Sequence, residues 1–209
     1  EITRKAAGIS FPMTVEHAVI CGAQIAVTTI VAPLGVVAIA ANAFAVTAES
    51  LCYMPGYGIG DAAMALTGQS HGAQRPRLTR KFGYMAVGLG MVVMAVMGLL
   101  MYVFAQDIMS LITPVEAIST LGAKVLRIEA WAEPMFAASI VAYGAFVGVG
   151  HTTVPALMNF GSIWLVRVPL AWWLSKSMGL EGVWIAMCTE LMFRGGIFLT
   201  RLFFFRWNK

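Results

Sequence analysis

YMAVGLGMVVMAVMGLLMYVF, Tyr84 to Phe104, runs from end to end without one charged side chain. A helix rises about 1.5 Å per residue and a hydrocarbon core is about 30 Å thick, so a run of this length reads as a membrane span. Five further apolar runs accompany it, and the six spans are expected at about residues 9–31, 36–66, 84–104, 126–149, 155–174 and 183–204. The chain is therefore read as an all-α membrane protein, a six-transmembrane-helix bundle forming one unit over residues 1–209.

Composition agrees with that reading. Of 209 residues, 59% are hydrophobic and 11% charged, and mean hydropathy is +0.80. A soluble domain carries roughly a quarter charged residues, enough to cover a water-facing surface. The net charge of +4 does not indicate nucleic acid, because the basic residues sit in short loops and form no basic stripe. Cys21, Cys52 and Cys188 all fall inside apolar segments, an odd number at wide spacing that fits neither disulfides nor a metal site. No cleavable signal peptide is expected, since the first apolar run is too long and leads into another span.

Loop charges orient the bundle. An even number of spans puts both termini on one side, and that side carries Arg4, Lys5, Arg75, Arg77, Arg80, Lys81, Arg201, Arg206 and Lys209. Lys124, Arg127 and Lys176 lie opposite. Cytoplasmic loops are enriched in Lys and Arg, so both termini are expected in the cytoplasm, with the protein multi-pass in the plasma or inner membrane. Pro33 to Gly35 reads as a tight hairpin between the first two spans. Pro55, Gly56, Gly58 and Gly60 are expected to break the second span, and a short outer helix is expected between Asp107 and Gly122.

Ionisable groups inside spans are costly and need a partner, a cavity or a function. Glu16 and Gln24 lie two helical turns apart and share one face, with His17 beside Glu16. Asn42 and Glu49, seven apart, share a face of the second span, and Asp61 follows the expected break. A broken helix brings unpaired carbonyls and carboxylates to a cavity, the arrangement that holds coupling ions in transporters. Glu16, Gln24, Asn42, Glu49 and Asp61 are therefore the candidate coupling-ion and substrate site, with Na⁺ at Glu16 and Glu49 or a proton in its place. For Asp61 the alternative is simple pairing with loop cations. Arg167 and Glu190 lie at matching depth and are expected to form a structural ion pair, with Glu133 competing for the arginine and Arg194 one turn beyond Glu190.

Met85, Met91, Met94, Met97 and Met101 line the third span, more simply as packing than as a ligand pocket. The glycine pairs at Gly88 and Gly90 and at Gly148 and Gly150 follow no strand, so they read as small-residue helix contacts. There is no Walker A sequence and no HExxH, and no enzyme activity or cofactor is expected beyond the coupling ion.

Three groups of motifs carry a family resemblance. AANAFAVTAESLCYMPGYGIGDAAMALTGQSHGA, Ala40 to Ala73, follows PMTVE, Pro12 to Glu16, and APLG, Ala32 to Gly35. FVGVGHTTVPALMN, WLVRVPLAWWL and GLEGVWIA come later, in that order. Together they resemble the C-terminal six-helix half of multidrug and toxic compound extrusion transporters. The resemblance implies one lobe of a twelve-helix, pseudo-two-fold antiporter that exports cationic amphipathic compounds in exchange for Na⁺ or H⁺. It implies roles in ion binding for Glu16, and for Glu49 with Asn42, and it matches Arg167 to the arginine and proline motif of the fifth span. Some members carry the first-span glutamate a turn later, where this chain has Ile20. The implied partners are membrane lipid, small organic cations, and either the missing N-terminal lobe or a second copy. A flippase for lipid-linked precursors and a channel or assembly subunit without a transport cycle are the alternatives.

Overall fold

Gly35 turns the chain with a φ of 98°, a conformation that glycine adopts without a Cβ clash. A computed structural model describes the backbone of residues 2–205 and the side chains of Thr14 and residues 17–205. Helix α1 spans Ile2–Val31 and passes through a 3₁₀ turn, Ala32–Leu34, into α2, Val36–Gly72. Then come α3, Pro76–Ile112, α4, Glu116–Glu129, and α5, Glu133–Gly148. Helix α6, Thr153–Ser162, runs through a π-helical turn, Ile163–Arg167, into α7, Val168–Phe204.

Two of the six spans are not simple rods. Helices α4 and α5 bend by 60° at their junction, and only as a pair are they long and apolar enough to cross a membrane. Residues 153–204 are far too long for one crossing, and Gly179, at φ 61° and ψ −135°, breaks α7 in two. The chain folds back there: Gly182 packs against the carbonyl of Leu174. The fifth span thus ends before Gly179 and the sixth begins after it.

The second span departs from expectation. Helix α2 continues through Pro55 as one element of 37 residues, and its glycines serve close packing instead of a break. A Cβ on Gly56 would meet the Met94 sulfur, and Gly60 and Gly68 sit directly against Ile140 and Gly148 of α5. In lipid, helix association depends on such close van der Waals approach, which small residues allow. The expected outer helix is also replaced: α3 continues to Ile112, and α4 starts at Glu116 after a turn at Pro114. Of the methionine stripe, Met94 and Met101 are buried while Met85 is exposed, the pattern of a packed helix face.

Two apolar cores fill the bundle. One gathers Ala41, Ala45, Met101, Ala105, Met109, Leu126 and Trp184. The other gathers Ala63, Val87, Val141, Phe146 and Phe198. Along α7 they are separated by Glu190 and Arg194, and along α4 and α5 by Glu129 and Glu133. A charged layer lies between the two cores.

Candidate functional site

Helices α1, α2, α7 and the π-helical turn enclose a cavity of about 410 Å³. Gln24, Asn42, Glu49, Arg167, Trp184 and Arg194 line it. A second cavity of about 550 Å³ adjoins it, sharing Tyr53, Tyr57, Phe136 and Arg194 and adding His17 and Asp61. The aromatic walls suit an apolar ligand body, and the few charged groups set its polar contacts.

Glu190 is the hub of the charged layer. It is fully buried, and its carboxylate lies 3.2 Å from the Arg167 guanidinium and 3.2 Å from Arg194. The Ser162 hydroxyl also donates to it. The π-helical turn explains the first contact: its wider turn holds one more residue than an α-turn and so re-aims Arg167. Arg194 lies 5.5 Å from the centre of the Phe136 ring, a cation–π contact on the cavity wall.

Three more carboxylates crowd the same layer. Glu49 is only 6% exposed, and Glu129 and Glu133 are fully buried. Among the described residues the side-chain oxygens of Glu129 have no hydrogen-bond partner, and Glu133 has only the weak donor of the Cys52 thiol beside it. Glu129 closes α4 and Glu133 opens α5, so the pair straddles the bend. Glu133 also sits at a helix N-terminus, where the backbone dipole favours negative charge. An ionised carboxylate buried without a partner is costly, so each of these groups calls for a proton or a cation.

Gln24, Asn42 and Glu49 thus line one cavity, and Asp61 lines the next, exposed and without an ion pair among the described residues. The Trp184 indole N–H donates to the Asn42 side-chain oxygen at 3.0 Å, which holds Asn42 in place. The side chain of Glu16 lies outside the described residues. Arg167 and Glu190 are in contact, and among the described residues Glu133 forms no ion pair with the arginine. Glu129 was not singled out from the sequence, although a second carboxylate one turn before Glu133, in LRIEAWAEP, was the available signal. The helix break on which a carboxylate site was expected exists, but between α4 and α5, not in α2.

The fold, a helical bundle with a charged layer across its middle and a cavity on one flank, is that of solved MATE transporters, of which this chain covers about half, as one lobe would. The chain belongs to the MatE family, whose sequence model matches residues 12–173; its members are integral membrane transporters for multidrug and toxic compound efflux. A relative from Thermotoga maritima, described as "Probable multidrug resistance protein NorM", is 26% identical over 96% of this chain and 44% of its own length. The multidrug resistance protein NorM of Burkholderia vietnamiensis is 28% identical over 88% of the chain and 41% of its own length. Among solved structures, the MATE transporter ClbM in complex with Rb⁺ superposes with a TM-score of 0.90 at 22% identity, covering 99% of this chain and 49% of that one. The Vibrio cholerae transporter VcmN in its bent form gives 0.88 at 17% identity, covering 94% and 45%. The chain spans about half the length of the relatives it matches.

Proposed function

We propose that this chain forms one lobe of a secondary antiporter of the plasma or inner membrane, with both termini cytoplasmic. The antiporter exports cationic amphipathic compounds in exchange for Na⁺ or H⁺. The observation that carries the reading is Glu49 on the wall of an aromatic-lined cavity, backed by two buried carboxyls that form no ion pair among the described residues, Glu129 and Glu133. Arg167 and Arg194 also line the cavity and pair with Glu190; Arg167 acts on Glu49 only at longer range, and Glu49 forms no ion pair of its own among the described residues, so it can meet a cation. Loading the carboxyls with the coupling ion would then displace an organic cation, and the reverse. The other half of the cavity would come from a second lobe or a second copy. Multidrug resistance in the NorM relatives and the Rb⁺ complex of ClbM support this reading.

The test is ethidium efflux from vesicles carrying the complete protein, under imposed sodium and proton gradients. Glu49→Gln should lower gradient-driven efflux by about tenfold, the effect of losing a buried charge that acts in the cycle. Unchanged efflux in that variant would refute the assignment. The two cavity arginines favour a second reading, movement of an anionic lipid-linked precursor. Lipid translocation that survives Glu49→Gln but fails in Arg167→Gln would select it.

A further inference from the structure

The end of the bundle that carries the α2–α3 turn, the α5–α6 turn and Phe205 is basic in one respect that goes beyond loop orientation. Three of the segments that reach it, residues 62–106, 134–180 and 191–205, contain no aspartate or glutamate. They bring His71, Arg75, Arg77, Arg80, Lys81, His151 and Arg201 to that end. The opposite end is mixed, with Asp107, Glu116, Lys124, Arg127, Lys176 and Glu181, and Lys124 pairs with Glu181 at 3.5 Å.

Arg201 stands out within the basic end. It forms no ion pair among the described residues, and its buried Nε has no hydrogen-bond partner. Its guanidinium lies over Phe146 and Phe205, 5.2 and 5.8 Å from the ring centres, and His151 packs edge-on against Phe205. Arg201 also lines an open groove of about 630 Å³ between α6 and the last part of α7. Apart from Thr200, whose hydroxyl donates to the Gly196 carbonyl, the rest of that groove is apolar, with Val154, Met158, Phe193 and Ile197 among its walls. Gly196 leaves it open, since nothing lies within 4 Å of where its Cβ would be.

We propose that this groove binds one anionic phospholipid, its phosphate on Arg201 and an acyl chain along Gly196. Charge and shape select this occupant together. Basic pockets at the basic end of a membrane bundle take anionic head groups. An arginine grips phosphate through several donors at once, and a polar peptide would leave the apolar walls unmatched. The site is distinct from the transport cavity, which Arg201 does not line.

The experiment titrates the purified protein in detergent with phosphatidylglycerol, phosphatidylcholine and water-soluble glycerol 3-phosphate, and counts bound lipid by native mass spectrometry. Phosphatidylglycerol should be retained about tenfold more strongly than phosphatidylcholine, and glycerol 3-phosphate should not compete. Arg201→Gln and Gly196→Leu should each weaken phosphatidylglycerol binding by about fivefold, while the double variant Arg77→Gln/Lys81→Gln changes it by less than about twofold. Equal loss in the double variant would mean diffuse surface attraction and overturn the site. Full competition by glycerol 3-phosphate, or undiminished binding in Gly196→Leu, would overturn the acyl groove. If Arg201→Gln fails to fold, Gly196→Leu decides the matter alone, because it fills open space and removes no polar contact.

Discussion

Arg167 and Glu190 lie 3.2 Å apart on opposite sides of the Gly179 break, so their contact staples the fifth span to the sixth. The pairing is lopsided: one buried carboxylate serves two arginines. Removing one partner of a buried ion pair costs about 3–5 kcal/mol, because the survivor is left without compensation. Glu190→Leu strands both guanidinium groups and should lose an amount near the top of that range. Arg167→Leu leaves Glu190 with Arg194 and Ser162 and should lose clearly less. Unfolding in detergent, followed by circular dichroism, ranks the two; equal losses would show that Arg194 does not share the carboxylate.

The contact between α2 and α5 makes a second, steric prediction. A Cβ on Gly144 would collide with the Gly60 carbonyl, and one on Gly148 with Thr67 and the Met64 carbonyl. Backbone cannot move aside as a flexible side chain does, so Gly144→Val should destabilise by about 1–3 kcal/mol. Gly58 has open space at its Cβ, and Gly58→Ala should be neutral or gain up to about 1 kcal/mol from helix propensity. Thermal unfolding of the two variants side by side checks the contrast.

Run length made the apolar spans legible, since it follows directly from what a bilayer excludes. Breaks were harder. Pro55 with Gly56, Gly58 and Gly60 looks like a hinge in the sequence, yet α2 carries on because those glycines let Met94 and α5 approach closely. The real discontinuities lie at Ala130 to Ala132, in the turn Ile163–Arg167 and at Gly179. Gly179 marks the last directly, while Pro134 and Pro169 mark the other two only as prolines in the first turn of the helix that follows. A π-helical turn and a 60° bend come from packing between helices, which a local reading does not contain.

The site divides in the same way. Asn42 and Glu49 were found because seven residues make two helical turns, and that geometry places both on one cavity wall. Arg167 and Glu190 were matched by depth alone. Glu129 sits close to the expected start of its span, and the bend that buries it is marked only by Pro134 in the first turn of α5.

Glu129 and Glu133 carry the third prediction. Gln is nearly the same size as Glu but carries no charge, so Glu129→Gln and Glu133→Gln remove the need for a neutralising ion while keeping the packing. Stability should stay within about 1 kcal/mol of the parent or rise, since a buried unpaired carboxylate is itself a cost. Gradient-driven efflux should fall in at least one of the two variants if the pair takes part in coupling. Full efflux in both, with intact folding, would confine coupling to Glu49.

The last prediction concerns pH and lies outside the spans, at His151 in the turn between α5 and α6. Partial burial, and then the positive charges of Arg201 and His71, hold its imidazole below the ordinary value of 6.5. The folded state therefore binds this proton less readily than the unfolded chain. Below about pH 6.5 the unfolded chain takes up a proton that the native state resists, so stability falls as pH drops through that region. It is fully present above pH 6.5. His151→Gln should flatten this part of the curve of melting temperature against pH between 5 and 8, and Arg201→Gln should flatten it in part by removing one repelling charge. An unchanged slope in His151→Gln would assign the acid sensitivity to another group.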